Sequence, residues 1–184
     1  MPPYHLALVP MLKAPIPADE ETRLAALRAL LILDTPPEER FDRIVSFMAT
    51  EFDVPIALIT LVDRDRVWFK SKFGLTACDA PRKTSFCGHA IVVPDLFVVP
   101  DMLNDSRFSD HPMVAGEPGL RTYAGAPLRL ACGHVAGMLC MNDTRVRDFD
   151  ALDHAILFTL RDLVVAELEG EPAEAAMEQR RAQD

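Results

Sequence analysis

Two cysteines and a histidine lie close together near the middle of the 184-residue sequence: Cys78, Cys87 and His89. Two thiols can form a disulfide when their Cα atoms approach to about 5.5 Å, so Cys78 and Cys87 are the candidate redox pair. A thiolate and an imidazole can also bind a metal ion, but no CxxC pair occurs and no third ligand is fixed, so no metal site is predicted. The simpler interpretation of Cys87 is a small buried hydrophobe. Cys132 and Cys140 lie in or beside apolar strands and are predicted to be core residues.

No catalytic set can be assembled from the other residues. GxSxG, P-loop, HExxH and GxGxxG motifs are absent from the sequence. Asp63 and Asp65 fall in a polar turn between two apolar runs, where carboxylates are expected to be solvated. The sequence therefore favours a binding module over an enzyme, and no catalytic residue is assigned.

Helical periodicity predicts two helices before the strands and one helix after them. Leucines three and four residues apart between Leu24 and Leu31 predict a first helix that starts at Asp19. Residues 35–38 (TPPE) predict a capping box, with proline in the first turn of a second helix. Asp150 is predicted to cap a last helix that Gly170 ends.

Five segments are predicted strands. Residues 54–62 (VPIALITLV) and 135–141 (VAGMLCM) are apolar at successive positions, which indicates central strands covered on both faces. Residues 67–73 form the returning strand of a hairpin with the first of these. Residues 97–99 are a short candidate strand, and residues 120–130 alternate between two different faces. These elements predict one α/β (α+β) sandwich.

The stretch from residue 74 to 119 has little predicted regular structure, and such long segments inside a compact domain are usually functional. Because the helices occupy one face of the sheet, the apolar residues of these loops are expected to cover the other face and leave a cavity. The predicted ligand-binding residues are Ser85, Cys87, His89, Asp101, Arg107, Phe108, Arg121 and Tyr123. Structural alternatives stay open for the polar ones: Asp101, for example, can simply cap the turn after Pro100.

Composition limits the class of partner. Lys and Arg number 19 against 28 Asp and Glu, which gives a net charge of −9. Such an acidic surface repels phosphate backbones and anionic lipids, so no nucleic acid and no membrane partner is expected. No apolar run reaches the roughly 18 to 20 residues of a membrane span, and the start lacks the basic region of a signal peptide. A cytoplasmic location is expected.

Six blocks of the sequence are distinctive: ILDTPPEERFDRIV, VPIALITLVDRDRVWFKSKFGL, APRKTSFCGHAI, VVPDMLNDSRF, YAGAPL and GMLCMND. In this order they resemble a GAF domain, most closely the bacterial subgroup found ahead of histidine kinases and cyclic-di-GMP enzymes. The domain is expected at residues 19–169, between an extended N-terminal arm (1–18) and a polar C-terminal tail (170–184). The resemblance implies a central antiparallel sheet with helices on one face, a ligand pocket on the other, and dimers through the first and last helices.

Three known GAF chemistries can be compared with this sequence. The Asn-Lys…Phe…Asp-Glu pattern of cyclic-nucleotide binders is missing, and so is the cysteine through which phytochrome-type domains attach a bilin. Free methionine sulfoxide reductases share a Gly-x-x-Cys-Gly-Thr-Ala step that aligns with residues 85–90 (SFCGHA), and Cys78 can match an upstream loop cysteine. Their reactive cysteine, however, falls in a loop that corresponds to residues 113–123, where this chain has no cysteine.

These features predict a free-standing sensory module of bacterial signal transduction, because no effector domain follows in the sequence. A small molecule of unknown identity would bind and alter a dimer or the surface for a signalling partner protein; no cofactor is assigned. The alternative is a thiol-based redox protein related to free methionine-R-sulfoxide reductase. A homodimer is expected because the first and last helices carry more apolar surface than one sheet face needs, at Leu24, Leu27, Leu31, Leu160, Leu163 and Leu168.

Overall fold

A computed structural model describes residues 11–181 of the chain, and the side chains of residues 11–170. Its centre is a six-stranded antiparallel sheet with the strand order β3-β2-β1-β6-β5-β4. The strands are β1 (Ile56–Val62), β2 (Arg66–Phe73), β3 (Asp79–Pro81), β4 (Phe97–Val99), β5 (Thr122–Arg129) and β6 (Val135–Asp143). Every residue of β1 and β6 is buried, and the two strands are neighbours at the middle of the sheet, which confirms that the two mainly apolar runs are the central strands.

Three helices cover one face of this sheet: α1 (Glu20–Ala29), α2 (Glu39–Glu51) and α5 (Ala151–Arg181). Their apolar stripes form one core with every second residue of the central strands, for example Ala57 and Ile59 of β1. A second core lies on the opposite face, where Leu58 and Cys140 pack under the segment between β2 and β5. The predicted arrangement, with helices on one face and loops on the other, is therefore confirmed.

The loop segment is more regular than the sequence suggests. It contains the edge strand β3, the short helices α3 (Phe86–Ala90) and α4 (Pro112–Ala115), and two 3₁₀ turns at Arg82–Thr84 and Met102–Asn104. Elements of three to five residues are too short to show a period of 2 or 3.6, so periodicity could not reveal them.

The predicted capping box at the start of the second helix is wrong. The Thr35 hydroxyl donates to the Ile32 carbonyl instead of capping α2, which begins at Glu39. The carboxylate of Glu38 pairs instead with the ammonium group of Lys70, which is buried. A buried charge without a counter-charge costs more free energy than a missing helix cap.

The last helix is capped as predicted but does not end as predicted. The Asp150 carboxylate accepts the backbone N–H groups of Leu152 and Asp153. Gly170 lacks the positive φ of a helix-ending glycine, and α5 continues through it to Arg181. None of the helices that the structure describes is long and apolar enough to cross a membrane.

The N-terminal arm is described only from residue 11 onward; residues 1–10, like residues 182–184 of the tail, lie outside the described residues. The backbone N–H of Ala14 donates to the Lys83 carbonyl over 2.8 Å, which fixes residues 11–18 beside the turn that leads into α3.

An ion-pair cluster joins α1 to the loop face. Glu20 binds both Arg23 and Arg82, and the guanidinium groups of these two arginines are almost completely buried. Burial alone would raise the pKa of the Glu20 carboxyl, but hydrogen bonds from Arg23 and Arg82 lower it to about 2.

We predict that Gly137→Ala destabilises the protein by about 3 kcal/mol, the upper end of the range for overpacking. A Cβ on Gly137 would lie 1.8 Å from the Thr60 carbonyl oxygen, so β1 and β6 would have to separate. Gly170→Ala is the control, since its Cβ meets nothing within 4 Å and α5 should gain up to about 1 kcal/mol. Chemical denaturation measures both; equal effects would contradict the close approach of the strands.

We predict that Glu20→Gln lowers the free energy of unfolding at pH 7 by about 2 kcal/mol, because two buried guanidinium groups lose their counter-charge. The figure is below that of a fully buried pair, since the Glu20 side chain is 11% exposed. The depressed pKa means that this stabilisation is complete above about pH 4.5 and is lost as the pH falls toward about 2.

The difference between wild type and Glu20→Gln should therefore shrink below pH 4.5 in urea titrations. Glu21→Gln is the matched control, because Glu21 pairs with Arg64 on the surface. If Glu20→Gln were no less stable than Glu21→Gln at pH 7, the cluster would not have the role assigned to it.

Candidate functional site

A cavity of about 90 Å³ lies between the sheet and the loop segment. Its wall is mostly apolar, with side chains from β1 and β2 on one side and from α3 and α4 on the other. Six residues with polar or thiol groups complete the lining: Ser85, Cys87, His111, Tyr123, Cys140 and Asn142. A small apolar space with a few convergent polar groups is the usual form of a ligand site.

Ser85 positions the short helix that carries Cys87. Its hydroxyl accepts the Gly88 backbone N–H over 2.9 Å and donates to the Arg82 carbonyl over 3.0 Å, so one side chain both caps α3 and ties it to the preceding turn. The turn is itself held, because Arg82 binds Glu20 and the carbonyl of Asp63.

Tyr123 forms the floor of the cavity on β5. Its ring is fully buried and packs edge-on against Phe86 and Phe97, and its hydroxyl lies 3.3 Å from the Cys87 sulfur. Gly125 makes room for the ring, since a Cβ there would lie 2.7 Å from the Tyr123 hydroxyl oxygen. Burial raises the pKa of Tyr123 well above its usual value, so the phenol keeps its proton.

Two thiols meet in the cavity wall. The sulfur atoms of Cys87 on α3 and Cys140 on β6 are 3.6 Å apart, and both residues are buried. The hydrogen bond to Cys87 raises the pKa of the Cys140 thiol well above its usual value, and burial adds to the effect. The same hydrogen bond lowers the pKa of Cys87, so Cys87 is the more acidic thiol of the pair.

Asn142 places an unsatisfied polar atom in the cavity wall. It is 4% exposed, and its side-chain carbonyl oxygen has no hydrogen-bond partner among the residues that the structure describes. A buried polar atom in this state costs about 1–3 kcal/mol, so it usually indicates a missing partner such as a water molecule or a ligand.

His111 adds a hydrogen-bond donor to the cavity lining. Its Nδ1 atom accepts the Met113 backbone N–H over 3.1 Å, so the proton of the neutral ring lies on Nε2. Burial lowers the pKa of His111, which keeps the ring neutral at pH 7.

Of the eight predicted ligand-binding residues, three line the cavity and five lie outside its lining: His89, Asp101, Arg107, Phe108 and Arg121. His89 Nε2 contacts the Leu12 carbonyl at 3.1 Å, and Phe108 is a core residue behind the wall. Asp101 caps the Met102–Asn104 turn through the Leu103 N–H, which is the structural alternative that the sequence left open.

Both predicted pocket arginines also make structural contacts. Arg107 pairs with Asp105 and stacks over the rings of Phe97 and Phe108. Arg121 donates to the carbonyls of Val114 and Leu120 and so braces the loop before β5.

The cysteine assignments need two corrections. Cys132 is exposed in the turn between β5 and β6 and is not a core residue, whereas Cys140 is. Cys78 is exposed beside Lys72, while the sulfur partner of buried Cys87 is Cys140, so Cys78 and Cys87 lie in different environments. Within the described part of the chain, no three His, Cys, Asp or Glu side chains gather as a metal site.

Sequence reasoning missed Asn142, His111 and Cys140 as lining residues. One signal was available for two of them: Cys140 and Asn142 are two apart in β6, so they share a face with Met138 and oppose the Tyr123 side of β5. On this face of β6 the polar Asn142 follows the apolar Met138 and the thiol of Cys140, which is a signal for a site there.

Similar proteins support the assignment of the fold. A model of the GAF domain matches residues 36–168. A cyclic di-GMP phosphodiesterase of Pseudomonas aeruginosa is 42% identical over 137 residues, which are 74% of this chain but 23% of that protein. The chain thus spans about a quarter of the length of this curated relative.

Solved structures agree in fold. The GAF domain of an Acinetobacter phosphoenolpyruvate-protein phosphotransferase aligns with a TM-score of 0.63 at 17% identity, covering 86% of this chain and 97% of that one. The free methionine-R-sulfoxide reductase of Neisseria meningitidis, solved with its substrate, aligns with a TM-score of 0.61 at 19% identity, covering 89% and 99%. At this identity the likeness to solved structures concerns the fold alone. The match of the GAF model to residues 36–168 establishes the family: the chain belongs to the GAF domain family.

Proposed function

We propose that the chain is a cytoplasmic sensory module that binds a small, mainly apolar molecule in the cavity between the sheet and α3. The observation that carries the proposal is the unpartnered carbonyl oxygen of Asn142 in the cavity wall. A ligand that donates one hydrogen bond to this oxygen would remove a penalty of about 1–3 kcal/mol that the protein otherwise bears.

The size of the cavity limits the ligand. A volume of 90 Å³ corresponds to about three water molecules, whereas pockets for drug-sized ligands measure about 300–1,000 Å³. A dinucleotide does not fit this space, so the molecule named for the Pseudomonas relative is not the proposed ligand. The proposal is instead a ligand of a few non-hydrogen atoms with one donor group.

We further propose that the bound state is transmitted through a homodimer or a signalling partner on the helical face. Four of the six leucines expected at a dimer interface are instead buried in the core: Leu24, Leu27, Leu160 and Leu168. Of the other two, Leu31 is exposed just after α1, and Leu163 lies with Phe47 in a groove between α2 and α5, where Phe47 and Leu163 are 52% and 51% exposed.

The composition of this groove supports contact with a second copy. Its rim carries charges of both signs, Arg40 and Arg43 with Asp42 and Glu167. A twofold axis through such a rim can place opposite charges together, as a self-complementary dimer interface requires.

We predict that Asn142→Leu abolishes ligand retention while it raises the stability of the empty protein by about 1–3 kcal/mol, because an unsatisfied buried amide is removed. Native mass spectrometry of protein purified under mild conditions should show a small non-covalent adduct on the wild type and not on the variant. Thermal unfolding should shift upward by about 2–4 °C per kcal/mol.

Asn104→Leu is the matched control, since Asn104 is exposed and its side chain bonds to Asp101, and it should gain no stability. An identical adduct on wild type and Asn142→Leu would remove Asn142 from the site. A loss of stability in Asn142→Leu would show that its carbonyl has a partner in the empty protein.

We predict that Leu163→Glu converts the dimer to a monomer at micromolar concentration, because the groove would have to bury a charge on the twofold contact. Sedimentation velocity measures the change. Val146→Glu is the control, since Val146 is an exposed apolar residue (59%) in the loop after β6 and should not alter the mass. A wild type that sediments as a monomer would contradict this part of the proposal.

A further inference from the structure

The Cys87 and Cys140 thiols are in direct contact in the wall of the cavity. Their sulfur atoms lie 3.6 Å apart, on elements that are distant in sequence, and both line the same cavity. A disulfide needs an S–S distance of about 2.05 Å, so the sulfur atoms need to approach by about 1.5 Å.

From this geometry we infer that Cys87 and Cys140 are an oxidisable pair, which forms an intramolecular disulfide when a small hydroperoxide enters the cavity. The inference does not depend on ligand binding at Asn142. It also differs from the pairing of Cys78 with Cys87 that the sequence suggested, because Cys78 is exposed beside Lys72.

The cavity gives the oxidant access to buried sulfur. Both cysteines line a space of about 90 Å³, and hydrogen peroxide is only slightly larger than a water molecule, which occupies about 30 Å³ in the liquid. The lining is mostly apolar, which admits small neutral oxidants and disfavours charged ones such as glutathione disulfide.

The two sulfurs have different roles in the reaction. Cys87 is the nucleophile, since hydrogen bonds from Cys140 and Tyr123 stabilise its thiolate and lower its pKa. Cys140 is the resolving thiol, and Tyr123 keeps its proton and can donate to the Cys87 sulfur from 3.3 Å.

The chemistry balances in two steps. The Cys87 thiolate attacks one peroxide oxygen, the O–O bond breaks, and the products are a Cys87 sulfenic acid and hydroxide, which takes up the proton that Cys87 released to form water. The Cys140 sulfur then attacks the Cys87 sulfur and releases the sulfenic oxygen, which leaves as a second water with the Cys140 proton. Overall two thiols and one hydrogen peroxide give one disulfide and two waters.

Oxidation would change the cavity, because the two elements differ in how firmly they are held. β6 pairs with β1 on one side and β5 on the other, whereas α3 is a five-residue helix. The approach of the sulfurs therefore moves α3, and with it Phe86, which packs on Tyr123 at a ring distance of 5.9 Å. The cavity is expected to contract.

The test uses a variant that keeps the buried pair and lacks both exposed thiols, Cys78→Ser with Cys132→Ser. Two of the four cysteines then remain, and neither substitution touches the core. The folded variant is treated with hydrogen peroxide, denatured in iodoacetamide, and analysed by peptide mapping. We expect free thiols to fall from two per chain to nearly none, with a mass loss of two hydrogens and a peptide linked through Cys87 and Cys140.

Two comparisons make the outcome decisive. Dithiothreitol should restore both thiols, and adding Cys140→Ala should abolish the linked peptide and leave Cys87 to oxidise to sulfinic or sulfonic acid. Circular dichroism checks that this triple variant is folded. Two free thiols after peroxide treatment of the folded double variant, or oxidation of Cys87 alone while Cys140 stays reduced, would overturn the inference.

Discussion

The position of the candidate site depends on one carboxylate. Glu20 of α1 lies between the buried guanidinium groups of Arg23 and Arg82, and each arginine reaches a different part of the sheet. Arg23 donates to the Val135 carbonyl at the start of β6, and Arg82 donates to the Asp63 carbonyl after β1. Because two buried cations would be unstable without an anion, this pairing links the helical face to the turn from which α3 starts.

The two faces of the sheet are packed by different means, which explains where the cavity lies. On one face α1, α2 and α5 present long apolar stripes, and these merge with the strands into one continuous core. On the other face, helices of four and five residues cover the sheet with only a few side chains each. Short elements cannot interdigitate along a whole strand, so a gap is left beside Tyr123 and Asn142, and polar groups collect around it.

The fold alone does not specify the ligand. The Acinetobacter and Neisseria domains share this architecture at 17% and 19% identity, yet the two proteins are named for different activities. In this chain the groups around the cavity are an unpartnered amide oxygen, a neutral histidine, a phenol and two thiols. Function in such a family is determined by these side chains, since the scaffold accepts many of them.

Much of the fold followed from the sequence by itself. The mainly apolar runs of β1 and β6, the alternation of β5 and the helical stripes depend on burial of neighbouring residues, which local patterns record. Ser85, Cys87 and Tyr123, which are predicted as ligand-binding residues, line the cavity, because they lie in or beside the long segment that covers the free sheet face. Only the tertiary structure decided that Glu38 binds Lys70 instead of capping α2 and that Cys140, not Cys78, is the partner of Cys87. It also decided that the side-chain oxygen of Asn142 has no hydrogen-bond partner among the described residues. Each of these facts is a contact, or a missing contact, between residues distant in sequence, and its energy depends on burial that no local pattern encodes.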